Sequence, residues 1–62
     1  MTGTEKRALV AQALTERADD LDAAGIRIAA EAGEVVGAGL RVAADHLRAF
    51  VAHRLPFQYQ ED

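Results

Sequence analysis

Apolar residues recur at intervals of three and four along almost the whole chain, the spacing of a helix that buries one side. The stretch "EKRALVAQALTERADDLDAA" carries a stripe of Val10, Leu14, Ala18 and Leu21, with Ala11 beside it. Glu16, Arg17, Asp19, Asp20 and Asp22 fall on its other side. Thr2 and Thr4 are both suited to cap its start. Thr2 with Glu5 has the spacing of a capping box, and Glu5 also suits the positive end of the helix dipole. Three acids just before Gly25 oppose the dipole, and glycine is the usual residue past a helix end. These signals predict a first helix from about residue 4 to about residue 24.

A second helix is expected from about 26 to about 55, because Pro56 is the single proline of the chain and stops it. Its main seam alternates three and four: Gly33, Val36, Leu40, Ala43, Leu47, Phe50, Arg54. A second row (Ile28, Ala32, Val35, Gly39, Val42, His46, Ala49, His53) lies beside it, and a third holds the small, uncharged Ala30, Gly37, Ala44 and Val51. Charge is confined to a strip of Arg27, Glu31, Glu34, Arg41, Asp45 and Arg48. Such a helix is apolar around most of its circumference and calls for burial on more than one side.

Three glycines inside this helix need a reason, since each costs roughly 0.5–1 kcal/mol relative to alanine. Gly33, Gly37 and Gly39 are read as close-packing positions that let another backbone approach. The expected fold is therefore all-α: an antiparallel hairpin of two long helices in a single domain spanning 1–62. It assembles as a homodimeric bundle, in the manner of a coiled coil or four-helix bundle, or docks on a larger protein. The first helix is too short to cover the second beyond about residue 46 at 1.5 Å per residue. Phe50, Val51 and Leu55 are expected to project past it, followed by an extended tail over 56–62.

Composition sharpens this picture. With 62 residues the chain buries only about 60% of its unfolded surface. Half of its residues are hydrophobic, but fourteen of those are alanine, so large apolar side chains are few. No cysteine is present to supply a disulfide or a thiolate ligand. A small fold without disulfides turns to oligomerisation or a partner for stability. A net charge of −3 argues against nucleic acid, and neither a bilayer-spanning run nor a signal-peptide pattern is evident. The expected location is the cytoplasm, and the alanine, glycine, arginine and aspartate usage suggests a bacterium or phage.

Little chemistry is on offer. Serine and cysteine are absent, the three threonines lack an obvious base, and no phosphate loop follows a strand, so no catalytic residue is assigned and the chain is not read as an enzyme. His46 and His53 lie seven apart on one face, too far to chelate one metal easily. Meeting their counterparts in a dimer, they are weak candidates for binding a metal or haem. No metal or cofactor is assigned. A helix-turn-helix turning at Gly25 would offer only Arg27 beside two acids, which cannot read DNA.

The functional expectation is a small non-catalytic protein–protein interaction module, an accessory or structural subunit of a larger assembly. Its contact residues would be Val36, Leu40, Ala43, Leu47, Phe50 and Leu55, with Phe57 and Tyr59 of the tail as further anchors. An acidic regulator of the antitoxin or anti-repressor type, masking a basic partner through Glu16, Asp19, Asp20 and Asp22, is the alternative; a haem- or metal-binding helical dimer is another.

Overall fold

The computed structural model describes residues 1–60. Two helices, α1 (Gly3–Ala32) and α2 (Glu34–His53), are followed by a single 3-10 turn over Leu55–Phe57. Among the described residues there is no strand, and the all-α hairpin is as expected. The Thr2 side chain caps α1 by accepting a hydrogen bond from the Glu5 amide at 3.0 Å. The molecule measures 49 × 16 × 9 Å between Cα extremes, a ribbon two helices wide and one helix thick.

The helix boundaries differ from those expected at the hinge. The chain reverses at Gly33, with φ 106° and ψ 156°, a region of backbone space open essentially to glycine alone. Gly25 does not end the first helix; it lies buried in the middle of α1. Two of the three acids before it have a partner on α2 that the sequence pattern concealed. Arg48 of α2 reaches Asp19 at 2.9 Å and Asp22 at 2.5 Å, and because α1 continues to Ala32, none of the three acids stands in its last turn, where the dipole would oppose them. With α1 running eight residues further, α2 no longer overhangs it. Val51 is half-buried and Leu55 fully buried, rather than projecting into solvent.

The helices meet through their smallest residues. A methyl group placed on Gly37 would stand 2.6 Å from the Ala29 Cβ, and one placed on Gly25 would stand 2.9 Å from the Gly37 carbonyl oxygen. Gly37 is thus a close-packing position, as expected, but its counterpart is Gly25. Gly33 serves as the hinge instead, and Gly39 faces open space. Counting outward in sevens from Gly25 and Gly37 brings Ala18 level with Ala44, both fully buried, and Ala11 level with Val51. The intervening seam positions bring Leu21 level with Leu40 and Leu14 level with Leu47, all four half-buried. Read from the open end toward the hinge, the two helices carry nearly the same ladder: Ala11 or Val51, leucine, alanine, leucine, glycine.

This seam is rotated by about one residue from the one the spacing of α2 suggested. Leu40 and Leu47 belong to both readings. Beside them Gly37, Ala44 and Val51 face α1, flanked by Arg41 against Gly25 and Arg48 against Asp19 and Asp22, while Val36, Ala43 and Phe50 turn away.

The tail is not extended from Pro56 as expected. The Leu55–Phe57 turn brings the chain back over the start of α1, and the Arg7 guanidinium donates hydrogen bonds to the carbonyls of Gln58 (2.9 Å) and Tyr59 (3.2 Å). Only Gln58 has extended backbone angles next to the turn, and Tyr59 takes φ 55°. The part of the expected tail at 61–62 lies outside the described residues.

Candidate functional site: a broad apolar face

Close approach through glycine and alanine has a geometric consequence. Along the seam, the small residues occupy the space between the axes, so the leucines cannot also enter it. They lie to one side, half covered by the neighbouring helix. The charged contact of Arg48 with Asp19 and Asp22 marks the opposite side of the ribbon. At about 100° per residue, Val10, Leu14, Leu21, Ala24 and Ile28 of α1 share the leucine side. From α2, Val36, Leu40, Ala43, Leu47 and Phe50 fall on it too. Apart from Val36, which is 53% exposed, all of these are half-buried. One broad face is therefore apolar, apart from Arg17 and Glu31 in the outer row of α1, and the other carries the Arg48 ion pairs.

The residues expected to bind a partner divide in three. Val36, Leu40, Ala43, Leu47 and Phe50 are brought together on this face. Leu55 is separated from them, buried against the first turns of α1 as part of the hairpin's own core. Phe57 and Tyr59 are exposed at the open end of the ribbon, beside the Arg7 clasp. The α1 half of the face was not anticipated. Its signal was present in the stripe of Val10, Leu14 and Leu21, but the pattern alone does not tell a stripe that satisfies its own hairpin from one that remains half open.

Beyond the broad face, α2 continues apolar round its outer edge, where Val35 is 87% exposed and Val42 and Ala49 are also exposed. His46 and His53 stand on this edge and line a shallow open groove with Ala49, Phe50 and Arg54. Seven residues of helix separate them by about 10 Å, and among the described residues no cluster of three or more histidine or acidic side chains suited to a metal occurs.

The charged side is held by Arg48, which also lies 3.8 Å from Asp45 one turn away on its own helix. Hydrogen bonds first to Asp19 and then to Asp22 stabilise the guanidinium cation and push its pKa up. A raised pKa means a contribution that is present throughout the range below the guanidinium's ordinary value and lost only in strong alkali. The pairs are solvent-accessible, so their effect is modest and screened by salt. Arg48→Gln is expected to lower the melting temperature by only a few degrees in dilute buffer, with the difference shrinking in 1 M salt. A thermal melt by circular dichroism at both ionic strengths checks this. A loss unaffected by salt would mean that the arginine stem, rather than its charge, holds the helices.

No protein-family model, curated protein or solved structure matches this chain. No helix of the described residues is long and apolar enough to cross a membrane.

Proposed function

We propose that the chain is a small non-catalytic protein–protein interaction module, acting in the cytoplasm as an accessory or structural subunit of a larger bacterial or phage assembly. The observation that carries this reading is the poverty of the hairpin's own core. Among the described residues the buried hydrophobic side chains are Ala18, Ala44 and Leu55, and no large side chain is fully enclosed. Burial stabilises at roughly 25 cal/mol per Å² of apolar surface, and two alanines and a leucine supply little of it. Fixing the backbone costs about 1–2 kcal/mol per residue. The half-open leucines must therefore be covered by another polypeptide before the ribbon is stable.

The acidic-regulator alternative draws less support. Asp19 and Asp22, two of its four carboxylates, are engaged by Arg48 within the chain.

The test is helix content of the purified chain, followed by circular dichroism across a dilution series with the mass measured in parallel. The expected result is that any monomeric form is poorly helical and melts without a sharp transition. A monomer that remains fully helical and unfolds cooperatively would overturn the reading, because its broad face would then need no cover.

A further inference from the structure

From the geometry of the broad face and the α2 edge that continues it, we infer that the occupant is a second copy of this chain, the two ribbons packed through their broad faces but offset sideways, so that α2 and its outer edge lie against α2 of the partner at the centre of a four-helix bundle. This rests on the interaction role proposed above and specifies its partner.

Surface area is the first reason. A compact protein of 6.6 kDa exposes about 3,900 Å² by the scaling of area with mass. This chain exposes 4582 Å², an excess of roughly 700 Å². Two copies that each covered their excess would bury roughly 1,400 Å² in total, within the approximately 1,200–2,000 Å² of a stable, specific interface. One helix laid along the ribbon would cover the groove between α1 and α2 and leave the edge of α2 in water.

Shape and charge point the same way. The face is flat, two helices wide and uncharged along its middle, and the acids and arginines of the seam lie on the opposite side. The charges at its α1 margin, Arg17 and Glu31 in the row of Val10 and Ala24, are of opposite sign and select neither a basic nor an acidic partner. A surface of matching length, width and neutrality is supplied by the same face of another copy, and two-fold pairing of identical faces closes the assembly.

The arrangement within the dimer follows from an asymmetry between the helices. On α1 the outer row of the arc, Val10, Arg17, Ala24 and Glu31 at intervals of seven, is interrupted by charge, with Lys6 and Asp20 beside it, and all four charged residues are exposed. On α2 it runs on past Val36, Ala43 and Phe50 to Val35, Val42 and Ala49. The helix with the wider apolar arc belongs at the centre, touching α1 of its own chain and α2 of the partner. The charged edge of α1 then faces solvent at the outer corners.

The experiment is sedimentation or light scattering over a dilution series, with helix content read at each concentration, on the unaltered chain and four variants. Val36→Lys/Ala43→Lys places two charges on the broad face, Val42→Lys one on the α2 edge, Ala13→Lys one on the α1 edge and Ala52→Lys one on the charged side. The unaltered chain is expected at twice its 6.6 kDa mass. The double variant and Val42→Lys should need a concentration higher by about 100-fold or more to reach the same mass and helix content, since an unpaired charge would be buried. Ala13→Lys and Ala52→Lys should match the unaltered chain. A simple folding defect would lower helix content equally at every concentration, and so is told apart from lost association.

A dimer indifferent to Val36→Lys/Ala43→Lys would overturn the face, and one more sensitive to Ala13→Lys than to Val42→Lys would overturn the central place of α2. A chain that stays monomeric and unfolded overturns the second copy while the interaction role stands, its cover being another protein. A chain that stays monomeric and fully helical overturns both.

Discussion

Gly33→Ala is expected to abolish the hairpin and give an elongated, exchanged dimer. Alanine in the backbone geometry of Gly33 is strained by roughly 1–3 kcal/mol, and nothing around the site can be rearranged to relieve it, because the strain lies in φ and not in a contact. The same alanine gains about 1 kcal/mol over glycine in a continuous helix. Both effects favour joining α1 to α2. A helix running without interruption from residue 3 to residue 53 would be about 77 Å long at 1.5 Å per residue, against a present extent of 49 Å. Its seam would then be satisfied by an antiparallel neighbour, with Gly25 of one chain on Gly37 of the other. Small-angle scattering should show the maximum dimension rising by about half. An unchanged dimension would mean that the contacts between α1 and α2 outweigh the hinge strain.

Two neighbouring glycines of α2 should respond in opposite directions to the same substitution. Gly37→Ala puts a methyl group 2.6 Å from the Ala29 Cβ and 3.0 Å from its Cα, in a fully buried site. Overpacking of this kind costs about 1–3 kcal/mol, beyond what improved helix propensity returns. The whole α1–α2 contact must widen to accept it, which also lengthens the reach from Arg48 to Asp19 and Asp22. At Gly39 a methyl group meets nothing within 4 Å and the backbone is ordinary helix, so Gly39→Ala should stabilise by about 0.5–1 kcal/mol. Each kcal/mol corresponds to roughly 4–8 °C for a domain near this size, and thermal melts of the two variants would separate clearly. Shifts of equal size and sign would show that close approach at Gly37 is not what holds the helices together.

The hairpin, the Thr2 cap and the stop near Pro56 were legible in the sequence because each is local: a period, a side chain three residues from an amide, a ring without an N–H. The hinge was not. Gly25 and Gly33 both follow polar, alanine-rich turns, and the three acids before Gly25 resembled a failing helix end. The helix runs on to Ala32, so none of them stands in its last turn, and Asp19 and Asp22 pair with Arg48, more than twenty residues away; no local pattern reports an ion pair across a hairpin. The seam was half legible for a different reason. On α2 the series 36, 40, 43, 47, 50 and the series 37, 40, 44, 47, 51 are both good helical stripes sharing Leu40 and Leu47. Only the identity of the neighbour decides which side is inner. Within the chain, small residues on α1 choose the second series, which leaves the first on the broad face. The tail was misread because its reversal depends on Arg7, whose hydrogen bonds to Gln58 and Tyr59 connect opposite ends of the sequence.

The mirrored ladder of α1 and α2 makes the single residue between them a control on concentration. Two stretches that match this well can close on one another in the same chain or on those of a neighbour, with the same seam either way. Joined by so short a connection, they meet at an effective concentration on the order of millimolar or above. Of the two closures, the one within a chain is therefore favoured, and exchange competes only where chains are crowded to a similar level. The hinge thus sets the local density of chains at which compact hairpins would give way to long, interlinked rods.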